Sequence, residues 1–137
     1  MIKKIEHLGI AVADLKQATH LFEVLLNRKA YKEETVPSEG VTTVFFELGE
    51  SKVELLGATH EESAIYKYLQ KRGQGIHHVA VEVDDIHAEM ERLRAAGFEL
   101  INEEPKEGAD NKLICFVHPR STGGVLLELC QEKHPAQ

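Results

Sequence analysis

An internal repeat constrains this chain of 137 residues more than any other feature. Residues 5–15 align with residues 76–86 at a constant offset of 71, and isoleucine, histidine, valine and aspartate recur at equivalent places. Residues 53–56 align in the same way with residues 127–130 at an offset of 74. Two matches in the same order indicate that the chain consists of two copies of one supersecondary unit.

Each copy has the hydrophobic pattern of a strand, a helix and three further strands, which predicts an α+β fold of two βαβββ modules. Asp14 is a good N-cap for a helix that reaches Leu26. We expect one domain over residues 1–137, with half-modules at about 4–58 and 75–132 and a connecting helix at about 60–72. Thr59–Glu62 has the spacing of a capping box for that helix. The predicted elements are strands at 5–12, 29–36, 41–48 and 52–57, with helix 14–26 carrying an apolar stripe of Leu15, Ala18, Phe22 and Leu25; then strand 76–83, helix 85–96, and strands 98–103, 112–118 and 124–131, with a loop at 104–111.

Strand alternation places a histidine and small residues on one face of each first strand. In the first copy His7 shares a face with Gly9 and Ala11, and in the second His78 shares a face with Ala80. Glu54 and Glu128 lie at equivalent positions of apolar strands, where an ionised carboxylate is costly unless it is paired or binds a metal. The four form a set of two nitrogen and two oxygen ligands that suits a divalent ion such as Zn, Ni, Co or Mn. We therefore predict one ion, bound by His7, Glu54, His78 and Glu128.

The alternative for these four residues is that both histidines lie at strand ends and both glutamates face water, which would make the repeat of all four an accident. Of the other histidines, strand parity turns His77 toward the helix face, where it has a structural or supporting role. We expect His118 to lie at a strand end. The remaining histidines are predicted to be solvated: His20, His60, His87 and His134.

The charge and the cysteines limit the class of protein. The net charge of −7 is spread along the chain, and an acidic surface disfavours nucleic-acid and anionic-membrane partners. No apolar run approaches the length of a membrane span and no signal sequence opens the chain, so a cytoplasmic protein is the expectation. Cys115 and Cys130 lie in apolar strands without metal-binding spacing, which predicts buried free thiols.

Three segments resemble the methylmalonyl-CoA epimerases of the vicinal-oxygen-chelate (glyoxalase/bleomycin-resistance) superfamily. They are His-Leu-Gly-Ile-Ala-Val from His7, Gly-Ile-His-His-Val-Ala-Val-Glu-Val-Asp-Asp-Ile from Gly75, and His-Pro-Arg-Ser-Thr-Gly-Gly-Val-Leu-Leu-Glu-Leu from His118. The resemblance extends from about residue 5 to residue 131. It implies paired βαβββ modules whose sheet curls into an open cleft around one metal ion, and a homodimer. It also places His7, His78 and Glu128 among the metal ligands.

The resemblance further implies an enzyme that interconverts the 2R and 2S forms of methylmalonyl-CoA by removing and returning the α-proton. Glu128 is then the expected base. Some relatives carry a second acid at the position of Thr43, which we assign here to substrate contact, and Glu47 has the strand parity to replace it. Lys112, Arg120 and Ser121 flank the last strand pair and are expected to contact the acyl-CoA substrate, chiefly its phosphates.

Two other functions fit the same residues. A glyoxalase I-like lactoylglutathione lyase uses the same fold with two histidines and two glutamates, and Glu54 suits it equally well. A non-catalytic binding protein for a metal or small molecule is the third possibility. The substrate assay, rather than the ligand set, separates these functions.

Overall fold

The computed structural model describes residues 1–133, and it has the predicted α+β composition. The prediction for His134 lies outside the described residues. Two short 3-10 helices, Pro37–Glu39 and Pro119–Ser121, occupy connections. In chain order the elements are β1 (Ile2–Ala11), α1 (Leu15–Leu26), β2 (Lys32–Val36), β3 (Val41–Leu48), β4 (Ser51–Ala58), α2 (Ala64–Arg72), β5 (Gly75–Val83), α3 (Ile86–Ala95), β6 (Lys106–Gly108), β7 (Lys112–Val117) and β8 (Leu127–Glu132).

The chain forms two compact units. The N-terminal unit comprises His7–His77, and the C-terminal unit comprises Met1–Glu6 together with the chain from His78 onward. The two runs of elements, β1-α1-β2-β3-β4 and β5-α3-β6-β7-β8, are the two predicted βαβββ modules. That part of the fold prediction is confirmed, whereas the assignment of residues 1–137 to a single domain stays a prediction.

The N-terminal unit has the strand order β2-β3-β4-β1, and β1 runs parallel to β4. Asp14 caps α1 as predicted, because its side chain accepts a hydrogen bond from the Gln17 backbone N–H. Helix α1 packs its apolar side chains on a core that includes Phe46 and Leu55. The prediction for Leu25 is wrong: it is 68% exposed, and Leu26 packs into this core in its place.

Helix α2 begins later than the capping box predicted. Its N-cap is Ser63, whose hydroxyl accepts from the Tyr66 N–H at 3.1 Å. The predicted cap, Thr59, instead donates its backbone N–H to the Gly40 carbonyl at 2.9 Å. This bond ties the chain to the turn after β2, so residues 59–62 form a turn rather than the first part of the helix.

The C-terminal unit has the strand order β5-β8-β7-β6, with β5 parallel to β8. Helix α3 packs Ile86, Met90 and Leu93 on one face of this sheet. The predicted strand at 98–103 is wrong, and β6 forms instead within the predicted loop at 104–111. Only the isolated bridge of Leu100 with Val117 joins 98–103 to β7, while the Asn102 side chain accepts the Phe116 N–H at 2.9 Å. The Asn102 side chain thus accepts the Phe116 N–H, which would donate to a backbone carbonyl if residues 98–103 formed a strand beside β7.

An ion-pair cluster in which only Glu89 is buried joins the start of the chain to α3. The N-terminal ammonium lies 2.8 Å from an Asp84 oxygen and 2.6 Å from Glu89 Oε1, and Arg92 reaches Glu89 Oε2 at 2.8 Å. The ammonium, and after it the Arg92 guanidinium, hold the pKa of the Glu89 carboxyl below its usual range.

Both cysteines are fully buried free thiols, as predicted. Burial raises the pKa of Cys115. Among the described residues 1–133, no helix combines the length and the apolarity needed to cross a membrane. The cytoplasmic location stays a prediction.

Candidate functional site

The N-terminal unit holds one of the predicted histidine–glutamate pairs. His7 Nδ1 lies 3.1 Å from Glu54 Oε2, and the two side chains are 5% and 8% exposed. The pairing of β1 with β4 causes this contact, because Gly9, two residues after His7, is the register partner of Glu54. Glycine has no side chain to fill the space above it, so the carboxylate and the imidazole meet there.

The C-terminal unit holds the second pair in the same register. His78 Nε2 lies 3.2 Å from Glu128 Oε1, with side-chain exposures of 6% and 7%. Here Ala80, two residues after His78, is the register partner of Glu128 across the parallel pair of β5 and β8. On the next strand Phe116 is also opposite Glu128, and its ring meets the His78 ring edge-on at 5.7 Å. The aromatic contact fixes the plane of the imidazole.

Each unit thus pairs one histidine with one glutamate, and the repeat makes the two pairs equivalent to each other. A buried carboxylate beside an imidazole keeps a hydrogen-bond partner, which lowers the cost of burial. Each histidine–glutamate pair also presents one nitrogen ligand and one oxygen ligand of the kind that zinc, cobalt, nickel and manganese accept. The alternative in which the glutamates face water is wrong, since both are buried.

The other histidines behave as expected within the described chain. The ring of His77 packs edge-on against Tyr68 of α2 at 4.8 Å, a structural contact. His118 follows β7, and its Nδ1 accepts the Arg120 N–H at 3.0 Å, so it caps the short helix at Pro119–Ser121. The remaining three predicted to be solvated are exposed: His20, His60 and His87.

The two residues proposed on β3 differ sharply in environment. Thr43 is 2% exposed and lies on the same face of the sheet as Glu54, opposite Leu56, which is two residues further along β4. Glu47 shares that face but is exposed at the end of β3, opposite Lys52. Thr43 and Glu47 each lie two residues along β3 from Phe45, the register partner of Glu54, but only Thr43 is buried there. Glu34 on β2 is the register partner of Thr43 and is half-buried.

The three residues expected to contact the acyl-CoA do not form one group. Lys112 opens β7 and is buried, whereas Arg120 and Ser121 follow the other end of that strand. The Arg120 guanidinium binds the Glu99 carboxylate through two bonds of 2.7 and 3.2 Å, and the Ser121 hydroxyl accepts the Glu99 N–H at 2.8 Å. Residues 113–119 separate Lys112 from Arg120 along the chain, and the assignment of all three residues to substrate contact stays a prediction.

The burial of Lys112 is the feature that the sequence reasoning missed, although the signal was present. Leu113, Cys115 and Val117 pack with α3, while Ile114 packs on the opposite face with Cys130. Lys112 is two residues before Ile114 and therefore has the same strand parity, which places it on the face of Glu128.

Comparisons with known proteins decide the family. The sequence profile of the Glyoxalase/Bleomycin resistance protein/Dioxygenase superfamily matches residues 6–116. The chain belongs to this superfamily.

Within the superfamily the chain is similar to epimerases. It is 39% identical over 133 residues to the ethylmalonyl-CoA/methylmalonyl-CoA epimerase of Cereibacter sphaeroides, covering 96% of this chain and 99% of that one. The crystal structure of methylmalonyl-CoA epimerase from Mycobacterium tuberculosis matches with a TM-score of 0.93 and 34% identity, over 97% of this chain and 90% of that chain. A variant of the Streptomyces coelicolor methylmalonyl-CoA epimerase, in complex with 2-nitronate-propionyl-CoA, matches with a TM-score of 0.93 and 30% identity, over 98% and 100% of the two chains. The predicted resemblance and the predicted isomerase class are confirmed.

Proposed function

We propose that this member of the superfamily interconverts the two epimers of methylmalonyl-CoA, with a divalent ion as cofactor. The observation that carries the proposal is the buried histidine–glutamate pair repeated in both units, in a chain that is similar to epimerases over nearly its whole length. The complex of the Streptomyces relative with an acyl-CoA analogue supports an acyl-CoA substrate.

The donor chemistry of the four residues fits a single ion. Each histidine–glutamate pair supplies only two ligands, whereas a protein-bound zinc ion takes three or four protein ligands. Two buried carboxylates carry two negative charges, which a divalent cation neutralises. We therefore assign both pairs to one ion: His7, Glu54, His78 and Glu128. The identity of the metal, among Co, Zn, Ni and Mn, stays open.

When bound, a divalent ion would supply Lewis-acid stabilisation of the negative charge that develops on a substrate oxygen. The protein supplies the proton transfer. In this proposal Glu128 takes the α-proton of one epimer, since its carboxylate is buried and rises from a face floored by apolar side chains. Buried Thr43 contacts the substrate through its hydroxyl, and Glu47 is the weaker candidate for a second acid because it is exposed. Arg120 and Ser121 remain proposed acyl-CoA contacts, and the homodimer stays a prediction.

A stereochemical assay tests the function. The metal-loaded protein is incubated with a single epimer of methylmalonyl-CoA, and the appearance of the other epimer is followed by chiral analysis of the acyl group. We expect a rate that is proportional to enzyme and is lost after treatment with a chelator. A parallel assay with the methylglyoxal–glutathione hemithioacetal as substrate tests the alternative function, that of a lactoylglutathione lyase. Turnover of the hemithioacetal with no change in the methylmalonyl-CoA epimer would replace the epimerase by the lyase, and turnover of neither would favour a binding protein.

A further inference from the structure

We propose that Lys112 is the second proton carrier of the site, the group that returns a proton to the face of the substrate opposite Glu128. This inference rests on the proposed epimerase function and goes beyond it by assigning the acid that neither Thr43 nor Glu47 provides. It also changes the expected role of Lys112 from a phosphate contact to a catalytic residue.

The first observation is the burial of an ammonium group. Of the lysines and arginines in the described part of the chain, Lys112 alone is buried, with 7% of its surface exposed. Within residues 1–133 it forms no ion pair with a carboxylate, and Glu132, its register partner on β8, is exposed. A buried cation without a counter-ion costs free energy, so a fold does not gain stability by keeping it.

The second observation is the position of Lys112 relative to Glu128. Both side chains rise from the same face of the sheet, and Lys112 lies four residues along β7 from Phe116, the register partner of Glu128. Four residues span roughly 14 Å of strand. The register row between them consists of Ile114 and Cys130, which are buried and apolar. The Glu128 carboxylate and the Lys112 ammonium thus lie on either side of an apolar row of the sheet. The long side chain of Lys112 can reduce the distance between the two groups.

Epimerisation requires two groups that transfer protons, one on each face of the α-carbon. One group removes the α-proton, the C–H electron pair enters the enolate, and a second group must deliver a proton to the other face. Thr43 carries a hydroxyl, which is too weak an acid and too weak a base for this transfer near neutral pH, and Glu47 is exposed at the end of β3. A lysine ammonium donates a proton and its neutral amine accepts one, and buried lysines are common catalytic acids and bases.

The proton balance is closed. In one direction the Glu128 carboxylate takes the α-proton and the Lys112 ammonium gives one to the opposite face, which leaves a carboxylic acid and a neutral amine. In the reverse direction the amine takes the proton and the carboxylic acid returns one. Exchange with solvent resets either form, so no further reactant is needed.

The test separates proton exchange from inversion. Each single epimer of methylmalonyl-CoA is incubated in deuterated buffer with metal-loaded protein, and deuterium in the recovered starting epimer and in the product epimer is measured separately. Wild type should show both exchange and inversion. Lys112→Met should reduce inversion by about 100-fold or more, the scale of losing a general acid. It should still exchange the α-proton of one epimer within about tenfold of wild type, because Glu128 acts alone on that face.

Two further variants control for charge and for folding. Lys112→Arg keeps the positive charge but gives up a proton far less readily, so it should lose inversion as the methionine variant does. Lys106→Met removes another lysine from the same face, opposite Ile114 on β6, and should leave both rates near wild type. The melting temperature of Lys112→Met should equal or exceed that of wild type, since methionine removes a buried unpaired charge.

Several results would overturn the assignment. Recovery of inversion in Lys112→Arg, or a raised KM with unchanged kcat in Lys112→Met, would make Lys112 an anion contact. Equal loss of exchange and inversion in a folded Lys112→Met would exclude a role confined to one face. If wild type shows neither exchange nor inversion with methylmalonyl-CoA, the proposed function itself fails and this inference falls with it.

Discussion

The metal response of thermal stability follows directly from the buried pairs. An ion that binds only the folded state stabilises it by RT ln(1 + [L]/Kd), which is about 2.7 kcal/mol when the free ion is at 100 times its Kd. With an unfolding entropy of about 2.1 cal/mol/K per residue, a chain of 137 residues should then melt about 9 °C higher. We expect this rise when cobalt or zinc is added to chelator-treated protein.

Two adjacent histidines provide a matched comparison. His78→Ala removes a proposed ligand and the hydrogen bond between His78 and the buried Glu128, at a cost of about 1–3 kcal/mol. His77→Ala removes an edge-on ring contact with Tyr68 that contributes about 0.5–1.5 kcal/mol. Both metal-free variants should melt somewhat below wild type. Only His77→Ala should keep the metal-dependent rise.

Scanning calorimetry on chelator-treated protein, with and without the metal, measures this response. Metal content by elemental analysis should agree, at about one ion per chain in wild type and in His77→Ala. The reasoning is refuted if wild type shows no rise with cobalt, zinc, nickel or manganese. It is also refuted if the two histidine variants respond alike.

Three other predictions follow from single residues. Glu128→Gln keeps a ligand oxygen but removes basicity, so α-proton exchange should fall by about 100-fold or more while metal is partly retained; unchanged exchange would move the base elsewhere. Phe46→Ala empties a fully buried site in the N-terminal core, so urea unfolding should show a loss of about 3–5 kcal/mol, and a loss below about 1 kcal/mol would contradict the packing. The N-terminal ammonium, and after it Arg92, lower the pKa of Glu89, so its contribution to stability is present above the ordinary value of 4.5 and is lost as the pH falls through the lowered pKa. The difference in unfolding free energy between wild type and Glu89→Gln should therefore shrink on acidification, and a constant difference would contradict the ion pair.

Local patterns predicted the elements that local chemistry decides. The cap at Asp14, the bounds of β3 and the equivalence of the two histidine–glutamate pairs were all predictable, because capping residues and strand alternation act over a few neighbours. The repeat extended this reach, since it related residues about 70 positions apart without any contact information.

The errors arise where tertiary contacts choose between similar local patterns. Leu25 and Leu26 both fit the helix stripe, and only the packing of α1 on its sheet shows which one is buried. Residues 98–103 have the composition of a strand, but the Asn102 side chain takes the Phe116 donor that a ladder would need. Lys112 was grouped with Arg120 because both flank the last strand pair, whereas the extended strand β7 places Lys112 at its start and Arg120 beyond its end.

We propose that this chain exchanges the α-proton of methylmalonyl-CoA by means of its buried histidine–glutamate pairs. The most direct measurement is the proton NMR signal of the substrate α-position in deuterated buffer, followed over time with metal-loaded wild-type protein and with chelator-treated protein. We predict that the signal disappears catalytically with the loaded protein and persists with the treated one. A signal that persists with metal-loaded protein, while the same sample isomerises the glutathione hemithioacetal, would contradict the claim.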